Sequence, residues 1–76
     1  MEENIYRQQV GENIKRFRLK RGLSQTELAQ AIGKKSPAYM AFIEKGQRNI
    51  NINDLLLLTT VLKVKIQNLT ECEKKI

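Results

Sequence analysis

The 76-residue chain contains no histidine and no tryptophan, a single cysteine, a single proline and four glycines. Each scarcity removes a class of chemistry. Without histidine, both the usual general base and the commonest metal ligand are missing. One cysteine cannot complete a Cys/His ligand set. That cysteine, Cys72, sits in a polar tail and cannot close an internal disulfide. It reads as a dispensable free thiol in a chain held together by packing, as suits a reducing cytoplasm. There is no Gly-rich phosphate loop, and no carboxylate pair lacks a helical explanation. An enzyme is therefore not expected, nor are catalytic residues, a metal or a cofactor. The leucine run at residues 55–58 is far too short to cross a bilayer, and the N-terminus MEENIYRQQ does not resemble a signal peptide. The expectation is a soluble, cytoplasmic protein without membrane partners. Its length suggests one domain over 1–76, with a core at about 5–69 and a polar tail at 70–76, near the size where a single core only just suffices.

What the chain does have is positive charge in one place. Its formal net charge is +6, and nine of its basic residues fall between Lys15 and Arg48 against two acids, Glu27 and Glu44. The rest of the sequence carries five bases and six acids. Such concentration is the electrostatic footprint of a polyanion partner where a binding motif lies within it, and a solubilising surface where none does.

No clean apolar/polar alternation supports a strand, whereas spacing near 3.6 recurs throughout, so the fold class is all-α. A first helix is expected from an Asn4 N-cap to about residue 21, with Tyr6, Val10, Ile14 and Phe17 as its inward stripe. Gly11 within it implies close packing against a neighbour. Gly22 ends this helix, and Leu23 follows as a core plug. Ser24 with Glu27 three residues later is a capping box, opening a second helix over 25–32 whose inward face is Leu28, Ala29 and Ile32. Gly33 supplies the positive φ of a sharp turn. Ser36 then caps a third helix over 37–45, with Pro37 in the first helical position, where its missing N–H costs nothing. Met40, Ile43 and partly Glu44 face inward; Ala38, Ala41, Phe42 and Lys45 face outward, and Gly46 closes the helix. Asn51 caps a fourth helix, with Asp54 placing negative charge at its positive end. Ile52, Leu55, Leu56, Leu58, Thr59 and Leu62 are its expected core positions. Val64, Ile66 and Leu69 suggest a short fifth helix, with fraying from Thr70 onward.

Two capped helices separated only by a tight turn form a helix–turn–helix. The pattern of Gln25, Ala29, Gly33, Met40 and Ile43 resembles the signature of the phage repressor and Cro family of transcriptional regulators. The resemblance spans roughly residues 10–69 and takes in the flanking VGENIKRFRLKRGLSQ and LLLLTTVLKV. It implies a compact five-helix lambda-repressor-like DNA-binding domain, with helix 37–45 in the major groove of double-stranded DNA and the preceding helix crossing the backbone. It also implies that Arg18 and Glu44 form a buried structural ion pair rather than a DNA contact.

By the same resemblance, phosphate contacts fall to Ser24, Gln25, Ser36, Lys45, Gln47 and Arg48, with Asn49 as a further candidate. Helix N-termini offer free N–H groups and a positive dipole end to an anion, so capping and phosphate binding by Ser24 and Ser36 are compatible. The base-reading positions are Pro37, Ala38, Tyr39 and Phe42. Here the sequence departs from the family, since none is one of the Gln, Asn, Arg or Lys residues that usually read base edges. Ala38 and Phe42 suit thymine methyl groups. Tyr39 either offers its hydroxyl to a base or phosphate, or packs over the turn. The turn is one residue longer than usual, and its Lys34 and Lys35 are read as phosphate grips. Lys63 stands where the family often has a helix-ending glycine.

These residues point to a sequence-specific regulator, a small repressor binding a palindromic operator as a homodimer. Dimer contacts are expected among Leu57, Val61, Ile66 and Leu69, unless Ile66 and Leu69 only close the core. The alternative is a protein-interaction module, an antirepressor or antitoxin-like partner, suggested by an outward Phe42. No small-molecule effector domain is expected, so control would come through partner binding, proteolysis or concentration.

Overall fold

The computed structural model describes residues 2–71. Five helices follow one another: α1 (Glu2–Lys20), α2 (Gln25–Ala31), α3 (Pro37–Glu44), α4 (Ile52–Leu62) and α5 (Ile66–Thr70). No strand occurs among the described residues. The long α1 packs against α3 and α5, while α2 and α3 pack against each other. α1 begins before Asn4, so that residue lies inside the helix and is not its cap. α5 ends at Thr70 with Glu71 extended; the rest of the expected tail, Cys72 included, lies outside the described residues.

The first four helices end alike. Leu23 N–H reaches Arg18 O, Lys34 reaches Ala29 O, Gln47 reaches Phe42 O and Val64 reaches Thr59 O, at 2.9–3.1 Å. This six-to-one closure requires a left-handed residue just before the donor. Gly22, Gly33 and Gly46 supply it at the first three ends, but at the fourth Lys63 itself sits at φ 59°. The family's glycine position is thus kept in conformation though not in residue type.

Ile14, Leu28, Ala29, Ile32, Met40, Ile43, Leu55, Leu58, Leu62 and Leu69 form the core, with Val10, Phe17 and Leu23 packed at its edge. Gly11 is needed where α1 crosses the end of α3: a Cβ there would lie 2.3 Å from the Ile43 carbonyl oxygen. Three expected core positions are exposed instead. Tyr6 lies near the start of α1 and lines an open cleft with Val10, Ile50 and Leu55. On α4 the buried positions are Asp54, Leu55, Leu58 and Leu62. Each residue turns a helix by about 100°, which carries Leu56 off that face. Ile52, in the first turn, is 61% exposed.

Polar groups complete the interior. Asn13 is buried, donating through Nδ2 to the carbonyls of Leu69 (3.0 Å) and Glu71 (2.9 Å) and accepting from Gln9 and Arg16. It thereby satisfies carbonyls at the end of α5, a short helix that cannot satisfy them itself. Arg21 Nε does the same for Leu62 O at 3.0 Å, tying α1 to the end of α4. Among the described residues no helix is long and apolar enough to cross a membrane.

Candidate nucleic-acid interface

The α2–turn–α3 unit is set by its caps. Ser24 Oγ accepts from Glu27 N–H at 3.0 Å, and Glu27 Oε1 accepts from Ser24 N–H at 2.8 Å, so the capping box is complete. Ser36 Oγ accepts from Ala38 N–H at 3.2 Å, and Pro37 occupies the first position of α3. Asn51 Oδ1 accepts from Asp54 N–H at 2.8 Å at the start of α4. All three caps fall where the sequence places them.

Arg18 and Glu44 fix the angle of the unit. Arg18 Nε donates to Glu44 Oε2 at 2.6 Å and Nη2 to Oε1 at 3.1 Å, a two-pronged ion pair with both side chains buried. Arg18 Nη1 also donates to Leu23 O at 2.8 Å, and Gln25 Nε2 donates to Glu44 Oε1 at 3.0 Å. One carboxylate thus holds α1, the start of α2 and the end of α3 together. Arg18 is thereby withdrawn from the surface charge. Gln25, an expected phosphate contact, has one amide hydrogen committed inward.

Around this frame, Ser24, Lys35, Ser36, Pro37, Ala38, Phe42, Lys45, Gln47, Arg48 and Asn49 are exposed. Phe42 is 47% exposed although apolar. Lys34 and Tyr39 are half-buried and belong to a cluster the sequence does not announce. The Tyr39 hydroxyl donates to Asp54 Oδ2. Lys34 Nζ lies 3.2 Å from the same oxygen. The Lys34 ammonium and the Arg48 guanidinium each lie 4.8 Å from the Tyr39 ring centroid. Burial is the main reason the Tyr39 hydroxyl is pushed up to about 12, and the Asp54 hydrogen bond and charge add to it while Arg48 opposes. Of the two placements open for Tyr39, the structure has packing over the turn, with the hydroxyl on a protein carboxylate.

Beyond placing negative charge at the start of α4, Asp54 is buried and binds two side chains. The available signal was an acid in the first turn of an otherwise apolar helix. On α1, Phe17 is flanked by Arg16 and Lys20, each with its charged group 5.3 Å from the ring centroid.

Of the expected dimer contacts, Leu57 is 46% exposed, and Val61 and Ile66 are half-buried. For Leu69 the alternative holds: at 0% exposure it closes the core beneath α1 and has no surface to offer a second copy. Ile52 and Leu56 are exposed beside Leu57 on α4. Among the described residues no group of histidine, cysteine or acidic side chains could hold a metal.

A sequence profile of the helix-turn-helix family matches residues 14–69. No curated protein sequence matches the chain. Among solved structures, the chain is similar to the restriction-modification controller protein C.AhdI from Aeromonas hydrophila, at 32% identity and a TM-score of 0.75, covering 82% of this chain and 92% of that one. It is similar to the hypothetical transcription factor NHTF from Neisseria, at 28% identity and a TM-score of 0.80, with coverage of 90% and 75%. It also resembles the clp gene regulator ClgR from Corynebacterium glutamicum, at 25% identity and a TM-score of 0.79, with coverage of 84% and 67%. A capping box, a glycine turn and a second capped helix, locked by Arg18 and Glu44, agree with those matches: the chain belongs to the helix-turn-helix family of DNA-binding transcriptional regulators of the Cro/C1 type.

Proposed function

We propose that this protein is a sequence-specific repressor that binds a palindromic operator as a homodimer, with α3 in the major groove. The observation that carries the reading is the surface around α3. Its N-terminal cap is exposed, Lys34 and Lys35 precede it, Lys45 and Arg48 follow it, and its outward residues Ala38 and Phe42 are exposed. An exposed helix N-terminus bracketed by cations suits a phosphate backbone. Ser24, Ser36, Lys35, Lys45, Gln47 and Arg48 are positioned for phosphate, and Pro37, Ala38 and Phe42 for bases. Tyr39 contributes a ring edge rather than a free hydroxyl. One such module reads few base pairs, and twofold pairing sets two recognition helices about 34 Å apart. The exposed apolar strip Ile52, Leu56 and Leu57 on α4 supports a second copy as the covering partner. Similarity to C.AhdI, a restriction-modification controller protein, and to ClgR, a clp gene regulator, supports a regulatory role.

The test is duplex binding by Lys45→Ala and Arg48→Ala across a range of salt. Each variant should bind all sequences more weakly and lower the salt slope by about one, the signature of a lost phosphate contact. Full affinity in both at moderate salt contradicts the reading.

A second reading, a protein-interaction module, draws on the exposed Phe42, which suits a protein groove better than a base edge. It gains the argument if random-sequence duplex fails to shift the protein at low salt while a protein partner co-purifies.

A further inference from the structure

Lys34, Tyr39, Arg48 and Asp54 come from the turn, α3, the following loop and α4, yet they meet at one point. The arrangement is odd for a surface that meets a polyanion. Asp54 places a buried negative charge directly against one candidate phosphate grip, and its tyrosine partner carries the other. Electrostatics alone would select against an acid there. What the acid contributes is geometry. Its carboxylate receives the Tyr39 hydroxyl, which stops the ring from swinging out of the turn. It also holds the Lys34 ammonium against the ring, and Arg48 rests on the same ring.

We infer that Asp54 is a positioning residue for DNA binding: through the Tyr39 hydroxyl and the Lys34 ammonium it presets two cations, one before α3 and one after it, for the phosphates flanking the recognition helix. The inference rests on the DNA-binding reading above. Lysine and arginine side chains lose rotamer freedom when they are fixed on a ligand. Cations already held by a pinned ring lose less of it at binding, so the cost of ordering is met during folding. Once phosphate arrives, the Lys34 ammonium can bridge the carboxylate and a phosphate oxygen, because it has three donors.

The rival explanation has the opposite sign. If Asp54 merely sequesters Lys34 and repels phosphate, neutralising it must strengthen binding. If Asp54 only stabilises the fold, neutralising it must leave the binding of folded protein unchanged.

The experiment measures duplex affinity against salt for wild type, Asp54→Asn, Tyr39→Phe and the double variant, each held well below its own melting temperature. Tyr39→Phe removes only the hydroxyl and provides a folded comparison even where Asp54→Asn is less stable. Each single change should weaken binding by about fivefold, equivalent to one net hydrogen bond. The double variant should be little weaker than the single ones, because the two groups act as a unit. In Asp54→Asn the salt slope should fall by about one, as Lys34 is no longer presented. Equal or tighter binding by Asp54→Asn, a steeper slope, or losses that multiply in the double variant would overturn the inference. So would a lowered melting temperature with unchanged affinity. Wild type that binds no duplex at low salt overturns the DNA-binding reading as well, whereas wild type that binds beside an unaffected Asp54→Asn overturns this inference alone.

Discussion

The Arg18 guanidinium and the Glu44 carboxylate are joined by two hydrogen bonds, 2.6 and 3.1 Å long, between the last turn of α1 and the last residue of α3. Glu44 also receives Gln25, so its removal would leave a buried guanidinium and an amide without their shared acceptor. Breaking one side of such a pair costs about 3–5 kcal/mol, because the surviving charge stays buried. Glu44→Ala should therefore lose about that much stability in denaturant unfolding. Replacing both partners with apolar residues of similar volume should recover a large part of it. A small loss in Glu44→Ala would mean that the pair is solvated in solution.

Lys63 occupies a left-handed conformation that its neighbours at the other helix ends assign to glycine. An L-residue pays about 1–2 kcal/mol there, offset in part by the greater unfolded-chain entropy of glycine. Lys63→Gly should stabilise the protein by about 0.5–1 kcal/mol, read as a raised denaturation midpoint at constant m-value. Lys63→Val should have the opposite effect, because a β-branched side chain is poorly accommodated at positive φ.

Tyr39 links the fold to alkaline pH. Its hydroxyl is pushed up from the ordinary tyrosine value of 10.0 to about 12 by burial first and by Asp54 second. A raised folded-state value means that the neutral form is the one folding favours. Its contribution is whole below pH 10 and is lost as pH climbs through 12. Wild type should lose stability over that window more steeply than Tyr39→Phe, which has nothing to ionise at this position. Parallel profiles for the two proteins would show that the hydroxyl is not held by Asp54.

Leu57 tests the pairing of two copies. Leu57→Glu should shift the protein toward monomer in sedimentation equilibrium, since a carboxylate within an apolar contact is costly to desolvate. Its affinity for a two-half-site duplex should fall well below that of wild type, while its affinity for a single half-site should hardly change. A dimer that persists in Leu57→Glu places the contact elsewhere.

Most of the frame was legible in the sequence because it rests on local chemistry. Ser24, Ser36 and Asn51 announce their helices through side chains that cap the residues just after them. The glycines mark the turns for the same local reason. Gly11 could be read as a close crossing, but its partner, the Ile43 carbonyl, could not. Burial is not legible in the sequence where it depends on what lies across the molecule. Tyr6, Ile52 and Leu56 have the right hydrophobicity for the core and the wrong place in the packing. Asn13 and Asp54 are polar residues whose partners lie far along the chain: Leu69 and Glu71 for one, Tyr39 and Lys34 for the other. In the candidate interface, the exposed cations were foreseeable from charge and motif position. That Tyr39 is engaged by Asp54 and flanked by two cations was not, because periodicity carries no information about which side chains meet across a turn.

As proposed, α3 and its flanking cations read an operator with twofold symmetry. Selection of bound duplexes from a random pool tests it most directly. The selected duplexes should be enriched in paired, inverted half-sites with centres about one helical turn, or 34 Å, apart, with thymines favoured opposite Ala38 and Phe42. Recovery of a pool indistinguishable from the input, at salt low enough to retain duplex, would contradict it.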